Sequence, residues 1–118
     1  AIVVDDMIAS GTSILDTAKN LKEQGVSKVY LMTTFALFTS GIDKFDKYYE
    51  KGYFDRVYAT NVSYVREEVK NREWFNSVDC SYKIANIINH LNYGNSIDNL
   101  INDKEETAVK VKRLRKDW

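Results

Sequence analysis

The sequence contains one cysteine, one histidine and equal numbers of basic and acidic side chains, seventeen of each, in 118 residues. A single Cys80 excludes an internal disulfide and fits a reducing compartment. One cysteine and one histidine also exclude a Cys/His zinc set. The zero formal net charge gives no global reason for nucleic-acid or membrane binding. The apolar runs are far below membrane-spanning length, and the first residues lack the basic segment of a secretory signal. These absences predict a cytoplasmic protein with no nucleic-acid and no membrane partner.

What is present suffices for a core. Hydrophobic residues make up 44% and aromatics 13%, with eight tyrosines, which argues against wholesale disorder and for one domain. No internal repeat or low-complexity tract occurs. Ala1 stands inside an apparent strand with no initiator Met, which predicts that this chain is the carboxyl-terminal portion of a longer polypeptide. A folded domain is expected over residues 1–101, followed by a charge-rich tail over 102–118.

The organising stretch is Ala1 to Ser13. Ile2, Val3 and Val4 suit a buried parallel strand, and Asp5 and Asp6 stand where that strand is expected to end. In open α/β sheets ligands collect at the carboxyl ends of strands. Ala9, Ser10, Gly11, Thr12 and Ser13 follow, with closely spaced N–H groups, hydroxyls and a helix N-terminus, the parts of a phosphate cradle. Taken alone, the acids describe a solvated turn, and Gly-Thr-Ser an ordinary N-cap. Together they suggest a sugar phosphate handled with Mg²⁺, the acids facing hydroxyls or a metal, directly or through water. Alternation along a strand sends Asp5 and Asp6 to opposite sides unless the backbone turns between them.

Downstream, Thr12 or Ser13 is expected to cap a helix reaching Glu23, with Ile14, Ala18 and Leu21 on one face and Gly25 stopping it. Val26 to Met32 is a predicted central strand, and Thr33 to Gly41 a second rim of the site. A helix over Ile42 to Lys51, a strand over Phe54 to Ala59 and a short edge strand within Glu73 to Asp79 follow. Ile84, Ile87, Ile88 and Leu91 keep helical spacing over Ser81 to Leu91, and Ser96 to Ile101 can add a turn of helix. In the tail, Val109 and Val111 alternate as in a strand, though a frayed or partner-bound segment fits equally. The sum is a three-layer α/β domain with a mainly parallel sheet.

Val3-Val4-Asp5-Asp6-Met7-Ile8-Ala9-Ser10-Gly11-Thr12-Ser13 resembles the phosphoribosyl-pyrophosphate (PRPP) signature of the type I phosphoribosyltransferase fold. Later segments resemble ribose-phosphate pyrophosphokinases, or PRPP synthetases. These are Thr34-Phe35-Ala36-Leu37-Phe38-Thr39, Thr60-Asn61, and Ser96-Ile97-Asp98-Asn99-Leu100-Ile101. The resemblance implies that Asp5 and Asp6 contact ribose hydroxyls, directly or through metal-bound water, and that Ala9 to Ser13 hold the 5-phosphate. It implies Mg²⁺ as cofactor, ribose 5-phosphate, ATP and PRPP as ligands, and assembly at least as a homodimer. The implied reaction of the whole protein moves pyrophosphate from ATP to ribose 5-phosphate, with no catalytic residue in this segment. Two departures stand out: Thr12 replaces a second glycine of the synthetase turn, and Phe35 a histidine. A nucleobase phosphoribosyltransferase using PRPP and a non-catalytic synthetase-like regulatory subunit are the alternative readings.

Overall fold

A computed structural model describes residues 1–102 and 104–116. The chain forms two compact units, one over Ala1–Cys80 and the other from Ser81 onward.

The first unit is built on four strands, β1 (Ile2–Ile8), β2 (Tyr30–Ala36), β3 (Arg56–Thr60) and β4 (Phe75–Val78). They lie in the order β1-β2-β3-β4, and every pairing is parallel. Helices α1 (Thr12–Glu23), α2 (Asp43–Glu50) and α3 (Glu67–Lys70) carry the chain between successive strands. The result is an α/β fold with a mainly parallel four-stranded sheet flanked by helices. In such a sheet all carboxyl ends share one edge. Asp5, Thr33, Ala59 and Ser77 form one cross-strand row leading towards it.

The core follows from alternation and helical period acting together. Ile14, Leu15 and Ala18 of α1, Phe45 of α2 and Val69 of α3 are buried in one cluster with Leu31, Val57 and Ala59 of the strands. Its aromatic centre is dense. Phe45 stacks on Trp74 at 5.6 Å and meets Phe38 edge-on at 4.9 Å. Trp74 is buried because its Nε1–H finds Asp46 Oδ1 at 2.7 Å, an acceptor also held by Arg72.

Several boundaries differ from the sequence-based expectation. The first strand does not stop before the acids but runs through them to Ile8, because Met7 and Ile8 pair in register with Phe35 and Ala36. Nor is it buried throughout: Ile2 and Val4 are 60% and 74% exposed. β2 begins at Tyr30 rather than Val26. Gly25, at φ 89°, and Val26 donate N–H groups to the carbonyls of Lys22 and Leu21. That closes α1 in a Schellman turn and keeps Val26 outside the strand. The N-cap of α1 is Gly11, at φ 76°, not Thr12 or Ser13.

The second unit is helical: α4 (Ser81–Asn92), α5 (Asp98–Ile101) and α6 (Lys104–Lys116). The predicted helix at Ser81 is present, yet its apolar stripe is uncovered, with Ile88 and Leu91 exposed by 61% and 59%. His90 closes α4, its Nδ1 lying 3.0 Å from the Ser96 carbonyl. Val109 and Val111 lie in helix rather than strand, inside α6. No described helix is long and apolar enough to cross a membrane.

Candidate functional site

At the carboxyl edge of the sheet, β1 hands over to α1 through Ala9, Ser10 and Gly11. A cavity of about 130 Å³ sits in this bend, lined by Asp5, Met7, Ile8, Ala9, Ser10, Gly11, Thr12, Ser13 and Ile14. Asp5 and the whole Ala9–Ser13 turn therefore share one hollow. Asp6 does not border it. The split follows strand alternation, and Asp5 Oδ1 accepts the Asp6 N–H at 2.9 Å. Met7, Ile8 and Ile14 also line the hollow. The sequence placed Met7 and Ile8 inside the motif and Ile14 on the apolar face of the helix, and gave none of them a ligand role.

The helix mouth suits an anion for three reasons. Its N-cap is a glycine, which has no side chain to satisfy the first-turn N–H groups. Its first turn holds no acidic residue, whereas the first turn of α2 holds Asp43 and Asp46. The hydroxyls of Ser10 and Thr12 stand 3.4 Å apart beside it, only loosely engaged with each other. A positive helix end with spare donors favours negative charge.

Glycine at position 11 has a packing reason as well. A Cβ there would lie 2.3 Å from Cε2 of Phe45, so the turn rests directly on the aromatic core. The entry to the turn is fixed from β2. N–H groups of Leu37 and Phe38 donate to the Ile8 carbonyl at 2.9 and 3.1 Å, and that of Thr39 to Ala9 at 2.9 Å. Thr60, the last residue of β3, ties in through its hydroxyl, which donates to the Thr34 carbonyl of β2 at 2.7 Å. Asn61 bridges to the end of β4, donating to Asp79 and accepting the Cys80 N–H at 2.8 Å. The expected rim over Thr33 to Gly41 is thus half strand and half strap. Phe35 is 41% exposed beside its register partner Met7, not packed into the core.

Among the described residues, no group of three or more His, Cys, Asp and Glu converges to hold a metal. A larger hollow, about 560 Å³, lies at the opposite, amino-terminal edge between Lys22, Lys28, Tyr30, Asp55 and Arg56. Its charges are already engaged: Asp55 receives Lys22 at 3.1 Å, Lys28 at 2.9 Å and the Val29 N–H at 2.8 Å. Burial alone would raise the Asp55 pKa, but these donors outweigh it and hold the carboxyl at about 2. We read this cluster as a structural clamp joining α1, β2 and β3.

A mainly parallel sheet flanked by helices, with this hollow at its carboxyl edge, makes this an α/β domain of the kind that binds ligands at its strand ends. The fold is shared with phosphoribosylpyrophosphate synthetase from Mycobacterium smegmatis, at TM-score 0.67 and 22% identity over 79% of this chain and 30% of that one. Residues 1–102 match the family described as phosphoribosyl synthetase-associated domain, and the chain belongs to that family. Phosphoribosyl pyrophosphate synthase-associated protein 2 of Homo sapiens is 31% identical over 102 residues, covering 85% of this chain and 26% of that protein. Ribose-phosphate pyrophosphokinase of Synechococcus elongatus is 35% identical over 68 residues, covering 58% and 20%. The chain thus spans only 20–30% of the length of these relatives.

Proposed function

We propose that the whole protein is a ribose-phosphate diphosphokinase and that this segment seats ribose 5-phosphate. The observation carrying the reading is that Asp5 and the Ala9–Ser13 turn line one hollow. The first-turn N–H groups and the hydroxyls of Ser10, Thr12 and Ser13 take the 5-phosphate. Asp5 accepts from a ring hydroxyl on the cavity wall, and Asp6 from the exposed rim. ATP supplies the pyrophosphoryl group, leaving PRPP and AMP. This segment's part in that transfer is to orient the acceptor sugar.

Mg²⁺ fits in a limited way. Asp5 and Asp6 would offer the ion hard oxygens, Asp5 from within the hollow and Asp6 from outside it. When bound it neutralises charge on transferred phosphoryl oxygens. The whole protein assembles at least as a homodimer and acts in the cytoplasm, on the pattern of the family. A domain over residues 1–101 carries the site, with 102–118 as an appendage.

A non-catalytic synthetase-associated subunit is the second reading. One observation favours it: the match to the human associated protein extends over 85% of this chain. The resemblance to synthetases, in which Phe35 takes the place of a histidine, points the same way. AMP release by the full-length protein from ATP and ribose 5-phosphate decides between them. A robust rate supports the diphosphokinase. No rate alone, with altered turnover of a competent synthetase on mixing, supports the associated subunit. The 118-residue chain by itself is expected to release no AMP.

A further inference from the structure

We propose that Phe38 is the positioning residue of the Ala9–Ser13 turn, a strap fixing where β1 passes into α1; the inference rests on the phosphate-binding role given to that turn. Among the described residues, Phe38 is the one non-glycine position with positive φ, 47°. A side chain with a Cβ stays in that region only where its surroundings over-determine it.

The surroundings do so from both ends. Backbone donors of Leu37, Phe38 and Thr39 hold the carbonyls of Ile8 and Ala9, the last residue of the strand and the first of the turn. The Phe38 carbonyl accepts from Arg66 Nη2 and from the Gly41 N–H, each at 3.0 Å. The ring is 1% exposed and meets Phe45, the ring against which Gly11 is pressed. Phe38 therefore reaches the entry of the turn by hydrogen bonds and its exit through one intervening ring. A ring serving only as core filling would not require a left-handed backbone. Here that geometry brings the N–H groups of Leu37 and Phe38 to a single acceptor while the side chain stays inside.

The test compares Phe38→Leu with Phe54→Leu in the same chain. Phe54 is also buried and meets the same two rings, Phe45 at 6.2 Å and Trp74 at 6.0 Å, but sits outside the strap. Amide hydrogen exchange is read over Ala9–Ser13 and over α2, alongside titration with ribose 5-phosphate and inorganic phosphate. Phe38→Leu is expected to speed exchange in the turn about tenfold more than in α2 and to weaken ribose 5-phosphate binding about tenfold. Phe54→Leu is expected to change exchange in turn and α2 alike. Arg66→Gln loosens the strap without touching the core and is expected to raise turn exchange about threefold, which keeps the test decisive should Phe38→Leu not fold. Turn exchange that rises no more than that of α2 overturns the strap. If the unaltered chain binds no ribose 5-phosphate, the phosphate reading fails, while the exchange comparison still judges the strap.

Discussion

Gly11 lies against the ring of Phe45 so closely that a Cβ added to it would fall 2.3 Å from Cε2 and 2.4 Å from Cζ. The turn proposed to take the phosphate is therefore a lid on the core, and its shape is a packing consequence.

Gly11→Ala must both enter a left-handed backbone and push Phe45 aside. The left-handed conformation costs about 1–2 kcal/mol and overpacking about 1–3 kcal/mol, so a stability loss of roughly 2–5 kcal/mol is expected in denaturant unfolding. Gly25 also has positive φ, but nothing lies within 4 Å of its missing Cβ. Gly25→Ala should lose only about 1–2 kcal/mol, the backbone part. Equal losses at the two glycines would show that Phe45 yields freely.

Asp5 and Asp6 are adjacent in sequence but not in the hollow. Asp5→Asn is expected to weaken ribose 5-phosphate binding about tenfold or more, the scale of one hydrogen bond to a charged group. Asp6→Asn should have the smaller effect, as calorimetric titration of both variants would show. The reverse order would mean that the strand turns between the two residues when the ligand binds.

The Asp55 clamp sets an acid limit. Its pKa is lowered from 3.8 to about 2 in the fold, so its contribution is fully present above about pH 4. That contribution is lost as pH falls towards 2, because the unfolded chain binds the proton first. It amounts to no more than about 2 kcal/mol. Denaturant midpoints from pH 5 to pH 2 should fall less steeply for Asp55→Asn than for the unaltered chain; parallel slopes would remove Asp55 from the acid response.

Trp74→Phe keeps an aromatic in the core but removes the donor to Asp46, leaving Arg72 to hold that carboxylate. A loss of about 1–3 kcal/mol is expected, with unchanged ribose 5-phosphate affinity. A change in affinity comparable to the stability loss would show that the core and the turn are coupled more broadly than through Phe45.

How far the sequence revealed this molecule can be judged at particular residues. Apolar runs pointed to the first three strands and helical spacing to the helices at Thr12, Asp43 and Ser81, because both are local patterns; the short fourth strand was expected only as an edge strand within Glu73 to Asp79. Burial was less legible. Ile2 and Val4 read as core but are exposed on alternate positions of the edge strand β1, and Ile88 on α4 keeps helical spacing with its face open. Val26 looked like the start of β2, but an apolar residue after a glycine stop serves a helix end equally well. At the site, the spacing of Asp5 and Ala9–Ser13 was visible, whereas the strap was not. Nothing local to Phe38 announces a positive φ, which arises from hydrogen bonds to residues about thirty positions earlier.

The most direct measurement is a titration of the chain with ribose 5-phosphate while backbone amides are followed by NMR. The account predicts shifts at Asp5 and across Ala9–Ser13, with the Lys22, Lys28 and Arg56 amides unmoved. Silence across Ala9–Ser13 at high ligand concentration, or shifts centred on the amino-terminal edge of the sheet, would contradict it.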